Sequence, residues 1–230
     1  MKIYLKQIIK KAIFYDKWRP AAKSAPRYFE LDKNSNIVKR NYKDYEDYLN
    51  HQSEKLHVKL EEITDYDLTY EQVTFERYSS MFSYKGKSIL CLAARLGGEV
   101  RAFKRMGALA IGIDIEPGEK NPHVLHGDFH ALNFPDEVFD FAFCNAVDHV
   151  LDLDVFFNEV YRVLKENGVL IMELGKEKPS KYEVMDTQNH DPILEKANPF
   201  FGIEKRASMK NEIGFVNWNG FIYLLKKKFE

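Results

Sequence analysis

The chain has 230 residues, of which 45% are hydrophobic and 30% are charged, and its formal net charge is −1. This length fits one domain, with room for an appended segment. A net charge so near zero gives no electrostatic reason to expect a nucleic-acid partner. No apolar run in the sequence approaches the ~18 residues that a membrane-spanning helix requires.

The cysteine usage and the N-terminal residues both bear on the cellular compartment. The two cysteines, Cys91 and Cys144, lie in apolar runs, and two cysteines in a chain of this size are not typical of a disulfide scaffold. Residues 1–19 do not resemble a secretory signal, because Lys6, Lys10 and Lys11 interrupt the apolar stretch. We therefore expect a cytoplasmic protein.

Residues 1–23 form a basic, amphipathic pattern that contains seven Lys or Arg residues and one acidic residue. Such a helix either docks its apolar face on its own domain, which is the commoner use, or lies on an anionic membrane surface. A weak contact of residues 1–20 with a membrane surface is therefore the second interpretation of this segment.

Residues 42–63 and 68–82 have the spacing of two further helices. Together with the N-terminal helix they predict a helical cap over residues 1–85, placed before a larger domain at residues 86–230. The tyrosines of these helices could wall the substrate side of a cleft or could simply pack the cap. They are Tyr42, Tyr45, Tyr48, Tyr70 and Tyr78.

From Ser88 onward, short apolar runs alternate with segments of helical period. Apolar runs at 88–92, 108–114, 124–129, 139–146 and 168–174 predict five strands. Residues 99–107, after the first strand, have the spacing of a helix that ends at Gly107. A second helix is predicted to begin at an N-cap formed by Asp152 or Asp154 and to end just before Gly168. Two more strands near the end, at 202–209 and 215–228, predict an antiparallel pair at a sheet edge.

This alternation predicts an α/β fold with a parallel sheet that is covered by helices on both faces. In such a doubly wound sheet, ligands bind beyond the carboxyl ends of the strands, where the strand order reverses. The loop after the first strand, residues 93–98, is therefore the expected ligand site. It lacks the glycine fingerprint of a dinucleotide site, because Ala93 and Arg95 stand in it.

Asp114 closes the second strand about 20 residues later, where an acid can accept hydrogen bonds from ribose hydroxyls. A ribose without a pyrophosphate suits S-adenosylmethionine, and the small Ala93 and Ala94 would permit close backbone approach. Glu99 could meet the ammonium of the amino acid tail and Arg95 its carboxylate. Alternatively, Glu99 only favours the helix N-terminus and Arg95 points to solvent.

The segments GDFHALNFPDEVFDFAFCNAVDHV (127–150) and RVLKENGVLIMEL (162–174) resemble, in order, the methyltransferase type 11 domain of the class I S-adenosylmethionine-dependent methyltransferases. The resemblance covers Ser88 to Leu174. It departs from the family at the first motif, DxGxGxG. There Cys91 takes the place of the acid, Ala93 and Arg95 take those of the first two glycines, and only Gly97 agrees.

The resemblance implies a Rossmann-like, seven-stranded sheet with strand order 3-2-1-4-5-7-6 and an antiparallel seventh strand. It implies that Asp114, followed by Ile115, binds the ribose. It also implies that Asp128 accepts from the adenine amino group, with Phe129 or a neighbouring backbone amide completing that pocket. Asn145 would line the methionine tail and the methyl group.

Methyl transfer to a hydroxyl also needs a base, and His149 and Asp148 are expected at the mouth of the cleft. His149 could instead only cap or pack under the next helix, and His130 could shield the adenine. No Cys, His and carboxylate residues have metal-ligand spacing in the sequence, so no metal is expected. The buried cysteines are expected to act as small hydrophobes.

We therefore expect a methyltransferase acting on a small-molecule acceptor or on a glycan or lipid-linked one, more often on oxygen than on nitrogen. The main alternative is a non-catalytic binding or scaffold protein with a degenerate cofactor loop. A nicotinamide oxidoreductase is disfavoured by the missing glycines, and a nucleic-acid methyltransferase by the net charge. The sequence leaves the oligomeric state open.

Overall fold

The computed structural model describes residues 29–57, 60–209 and 219–229. Its strands are β1 (Phe29–Asp32), β2 (Ile37–Arg40), β3 (Ser88–Leu92), β4 (Leu109–Asp114), β5 (Val124–His126), β6 (Phe139–Cys144), β7 (Leu164–Gly175), β8 (Phe201–Ser208) and β9 (Gly220–Lys227). Its α-helices are α1 (Tyr45–His57), α2 (Leu60–Tyr78), α3 (Gly98–Arg105), α4 (Leu153–Val163) and α5 (Asp191–Ala197). A short 3-10 helix covers Val147–His149. The predicted helix at the N-terminus lies outside the described residues.

The main sheet has seven strands in the order β5-β4-β3-β6-β7-β9-β8. All neighbours are parallel except β9, which pairs antiparallel with both β7 and β8. Counted along this sheet alone, the order is 3-2-1-4-5-7-6 with strand seven antiparallel. The predicted fold class is confirmed.

Side chains of β3 alternate between two apolar cores, one on each face of the sheet. Leu90 and Leu92 join the core that includes α4, and Ile89 and Cys91 join the core that contacts α2 and α3. Burial on both faces explains why β3 reads as a continuous apolar run rather than as an alternating one.

The structure corrects two predicted boundaries. Helix α4 ends at Val163 rather than near Gly168, because Leu164 already pairs with Phe139 of β6. Asn167, in an irregular part of β7 between the residues that pair with Phe139 and Phe141, has a left-handed φ of 63°. Strand β5 ends at His126 rather than at residue 129, and the Gly127 N–H donates to the Asp114 carbonyl at 2.9 Å.

The two predicted helices of residues 42–82 correspond to α1 and α2, but the antiparallel hairpin of β1 and β2 before them was not predicted. Its second strand contacts the loop after β7, where the Arg40 N–H donates to the Val184 carbonyl at 2.6 Å and the Asp186 N–H to the Val38 carbonyl at 2.9 Å. The hairpin and α1 therefore lie against the loop that follows β7. Within the described part of the chain, no helix has the length and apolar character that crossing a membrane demands.

Candidate functional site

The loop between β3 and α3 turns sharply on backbone conformations that favour glycine. Three of its residues have left-handed φ values, namely Ala93 at 54°, Arg95 at 46° and Gly97 at 89°. Non-glycine residues rarely adopt this region, and clusters of them often mark functional loops. Ala94 packs closely over Gly112, whose missing Cβ would lie 2.7 Å from the Ala94 Cβ. The loop thus keeps a tight turn although two expected glycines are absent.

Asp114 holds this loop from the end of the neighbouring strand β4. Its carboxylate accepts from the Arg95 N–H at 2.8 Å and from the Glu116 N–H at 2.9 Å. The side chain is buried, and Ile115 lies between these contacts in sequence. The carboxylate therefore joins the β3 loop to the β4 loop at the carboxyl ends of the strands, where the ribose was predicted.

Two buried polar atoms near the ends of β3 and β6 have no hydrogen-bond partner among the described residues: Oε1 of Glu99 and Nδ2 of Asn145. Burial raises the pKa of Glu99 to about 8, against the opposing effect of Arg95. Unpaired buried polar atoms are costly and rare in folded proteins. One is an acceptor and the other a donor, so they suit a zwitterionic ligand.

Asp128, which follows β5, is held by three donors. Its Oδ1 accepts from the His130 N–H at 2.8 Å and faces His130 Nδ1 at 3.0 Å, and its Oδ2 accepts from the Tyr45 hydroxyl. Burial raises the pKa of Asp128, but the hydrogen bonds from His130 and Tyr45 outweigh it and hold the pKa below its usual range. His130 Nε2 accepts from the Asp152 N–H at 3.2 Å, so Nδ1 carries the ring proton.

Phe129 is buried in the core, where its ring lies 5.5 Å from that of Phe156 in an edge-to-face arrangement. This packing gives its side chain a structural contact rather than an open face toward a ligand. The His130 ring is tilted against that of Phe129, with 4.8 Å between ring centroids, and meets the Tyr45 ring edge-on. The predicted adenine region is therefore bordered by α1 of the N-terminal segment.

His149 and Asp148 lie together in the 3-10 helix after β6, next to Glu183 from the loop after β7. His149 Nε2 is 3.9 Å from Asp148 Oδ2, and the ligand atoms of the three residues lie within 4.8 Å of one another. A cation could be held by such a set, although the sequence shows no metal motif because Glu183 is far from the other two in the chain. The same set can also place a general base close to two carboxylates.

Helix α1 supplies the contacts that hold His149. Gln52 Oε1 lies 2.9 Å from His149 Nδ1, and the Tyr48 hydroxyl donates to the His149 carbonyl at 3.1 Å. Gln52 and Glu183 could not be predicted as neighbours of His149, because no local motif connects residues so distant in the chain.

The five tyrosines that were predicted as candidates for a substrate wall divide into two groups. Tyr42, Tyr45 and Tyr48 cluster near His51 and His130. By contrast, Tyr70 and Tyr78 are buried on the other face of the sheet, where both hydroxyls donate to Glu173 of β7. Their contacts join α2 to the sheet, so these two are structural.

Cys91 and Cys144 lie on the adjacent strands β3 and β6, and both are fully buried. Burial raises the pKa of Cys144 to about 12 and that of Cys91 well above its ordinary value. A thiol with so high a pKa supplies almost no thiolate at neutral pH. These cysteines therefore pack as small apolar residues.

Residues 90–172 match the model of a family described as "Methyltransferase domain". The structure is also similar to a S-adenosylmethionine-dependent methyltransferase from Aquifex aeolicus, with a TM-score of 0.54, 19% identity and coverage of 67% of this chain and 89% of that chain. A second similar structure is a 1,6-didemethyltoxoflavin-N1-methyltransferase from Burkholderia thailandensis, solved with 1,6-didemethyltoxoflavin and S-adenosylhomocysteine bound. Its TM-score is 0.63 at 11% identity, and the match covers 83% of this chain and 94% of that chain.

A possible histamine N-methyltransferase from Thermotoga maritima has a TM-score of 0.56 and 18% identity, covering 75% of this chain and 100% of that chain. At such identities these structures establish the fold. No curated protein sequence gives a significant match.

Proposed function

We propose that the chain is a class I S-adenosylmethionine-dependent methyltransferase that methylates an oxygen atom of a small molecule, and its domain match at residues 90–172 and its strand order support this proposal. The observation that carries the cofactor assignment is a pair of buried atoms, Glu99 Oε1 and Asn145 Nδ2, that find no hydrogen-bond partner among the described residues. An acceptor in the first turn of α3 and a donor just after β6 match the ammonium and the carboxylate of an amino acid tail.

In this proposal each loop at the carboxyl ends of the strands holds one part of the cofactor. Glu99 meets the tail ammonium, while Arg95 and Asn145 meet its carboxylate. Asp114, with Ile115 beside it, meets the ribose, and Asp128 with the Phe129 backbone meets the adenine. The small residues Ala93, Ala94 and Gly97 permit close approach of the backbone. The cofactor supplies a methyl group that is already activated on a sulfonium, so these residues mainly orient it.

His149 is the proposed general base on the acceptor side. A neutral imidazole can take a hydroxyl proton near neutral pH, and the Asp148 carboxylate 3.9 Å away would stabilise the imidazolium that results. This chemistry favours an oxygen acceptor, whose proton must leave as the new bond forms.

The N-terminal residues are proposed to cover the acceptor. The hairpin of β1 and β2 contacts the loop after β7, and α1 contacts Asp128 and His149. The position of the hairpin and α1, residues 29–57, supports the part of the predicted cap that would exclude water from the acceptor side. A glycan or lipid-linked acceptor would have to enter beneath the same cap.

The proposal is tested by incubating the protein with methyl-labelled S-adenosylmethionine and panels of phenols, carboxylic acids, sugars and amines. We expect label on a phenol or sugar hydroxyl, its loss in His149→Gln, and its retention in the control His126→Gln, which changes an exposed histidine of β5. Activity should persist in a chelator, because His149 Nε2 is assigned to a proton. Label on amines alone would overturn oxygen transfer, and chelator-sensitive turnover would overturn the base. Cofactor binding without transfer to any acceptor class would favour the binding or scaffold protein.

A further inference from the structure

A directional hydrogen-bond chain runs from the loop after β7, through α1, to His149. Its first link is His51, whose Nε2 lies 3.0 Å from the Lys181 carbonyl. A carbonyl oxygen only accepts, so His51 Nε2 carries the proton. In the neutral ring His51 Nδ1 is then an acceptor, and it accepts a hydrogen bond from the Tyr42 hydroxyl at 2.8 Å.

This arrangement fixes the orientation of the Gln52 amide. Gln52 Nε2 lies 3.0 Å from the Tyr182 carbonyl and 3.4 Å from His51 Nδ1. Both are acceptors, so the amide nitrogen with its two hydrogens faces them. The reversed amide would place its oxygen against the Tyr182 carbonyl and against a ring lone pair, which is repulsive.

Gln52 Oε1 consequently faces His149 Nδ1 at 2.9 Å. An amide oxygen has no proton to give, so His149 Nδ1 must be the donor. In the neutral ring Nε2 is then unprotonated, and it lies on the side of Asp148 Oδ2.

We propose that Gln52 is a positioning residue that holds His149 in the Nδ1–H tautomer, so that Nε2 is the atom that accepts the proton of the acceptor. This inference rests on the proposed role of His149 as general base. In the transfer step the acceptor O–H gives its proton to Nε2 while the oxygen forms a bond to the methyl carbon. The electrons of the breaking carbon–sulfur bond stay on the sulfur. The imidazolium keeps Nδ1–H on Gln52 and presents Nε2–H to the Asp148 carboxylate.

The tautomer can be measured before the acceptor is known. Protein with 15N-labelled histidine, saturated with S-adenosylhomocysteine, is examined by two-bond 15N–1H correlation at a pH where the ring is neutral, and His149→Gln assigns the signals. We expect a protonated Nδ1 and an unprotonated Nε2 in the wild type. Gln52→Leu, which removes the acceptor opposite Nδ1, should shift His149 toward Nε2–H. Ser53→Ala, which only removes a hydroxyl bonded to the Asn50 carbonyl of the same helix, should have no effect.

A wild-type Nε2–H signal, or a Gln52→Leu spectrum identical to the wild type, would overturn the inference. Calorimetry with S-adenosylhomocysteine on the same samples distinguishes a failure of the proposed function from a failure of the proposed role of Gln52. Equal binding by Gln52→Leu and the wild type shows that the variant is folded. Absence of binding by the wild type counts against the proposed function itself, while normal binding with the wrong tautomer counts only against the role of Gln52.

Discussion

The Tyr45 hydroxyl donates a hydrogen bond to the Asp128 carboxylate, 83 residues further along the chain. The same carboxylate is proposed to accept from the adenine amino group. Seven residues after Tyr45, on the same helix, Gln52 contacts His149. Helix α1 thus reaches the proposed adenine site with one residue and the proposed base with another.

Replacing Tyr45 with Phe should tighten S-adenosylhomocysteine binding about three- to tenfold. The Tyr45 hydroxyl occupies Asp128 Oδ2, and removing it makes that oxygen available to the adenine amino group, a gain of about 1 kcal/mol, typical of one net hydrogen bond. Calorimetry measures the change, with Tyr161→Phe as a control in which the lost hydroxyl contacts the Lys228 carbonyl instead. Weaker binding by Tyr45→Phe would show that the hydroxyl belongs to the adenine pocket rather than competing for it.

The affinity for S-adenosylhomocysteine should rise with pH up to about 8. Burial raises the pKa of Glu99 to about 8, so the free protein carries this carboxyl mainly protonated at neutral pH. The tail ammonium of the ligand favours the carboxylate, so binding must release the proton. The limiting dependence is about tenfold per pH unit below the raised pKa, and it levels off above it.

Calorimetric titrations between roughly pH 6 and pH 8.5 measure this dependence. Glu99→Gln should bind more weakly at the upper end of the range and should lose most of the slope. A wild-type affinity that is constant over the range would remove Glu99 as the ammonium partner.

Arg77→Met should destabilise the protein by about 3 kcal/mol. Its guanidinium lies 2.5 Å from Glu173 Oε1, and Glu173 is almost fully buried, so the variant leaves a buried carboxylate without its ion-pair partner. Arg105→Met is the comparison: the Arg105–Glu71 pair is more exposed, and its loss should cost about 1 kcal/mol or less.

Urea unfolding of Arg77→Met, Glu173→Gln and the double variant measures the coupling. The double variant should be more stable than Arg77→Met alone, because the uncompensated charge is gone. Additive losses would indicate that Glu173 and Arg77 stabilise the fold independently.

Gly98→Ala should destabilise the contact between α2 and α3 by roughly 1–3 kcal/mol. A Cβ at Gly98 would lie 2.4 Å from the Asp67 carbonyl oxygen, and the Gly98 N–H donates to Asp67 Oδ1 at 3.0 Å. Gly202→Ala is the matched control, because a Cβ there meets nothing within 4 Å. Thermal unfolding compares the two, and equal midpoints would mean that the Asp67 segment moves aside at little cost.

The positions of the central strands could be predicted because residues 88–174 carry strong periodicity and buried strands, whereas the strand order came from the resemblance to the methyltransferase family. The end of α4 could not be predicted, because Val163, Leu164 and the residues after them suit a helix as well as a strand. The pairing of Leu164 with Phe139 places Leu164 in strand β7. The β1–β2 hairpin was missed because each strand has only four residues and is stabilised by distant contacts with residues 184–186.

At the candidate site, the sequence could indicate residues that follow strands, such as Asp114 and Asn145, because strand ends have a fixed place in this fold. It could not indicate Tyr45, Gln52 or Glu183. These side chains meet Asp128 and His149 only through the packing of α1 and of the loop after β7, and no spacing in the chain encodes that packing.

The central claim, a cofactor site built around Asp114, is tested most directly by calorimetric titration with S-adenosylmethionine, S-adenosylhomocysteine and NAD. We predict micromolar binding of the two adenosyl ligands and none of NAD. Asp114→Ala should weaken binding by about a hundredfold or more, since it removes the carboxylate that also holds the Arg95 and Glu116 amides. Asp140→Asn, which acts near the opposite, amino ends of β3 and β6, should bind as the wild type does. Folded protein that binds neither adenosyl ligand, or that binds them equally well without Asp114, would contradict the account.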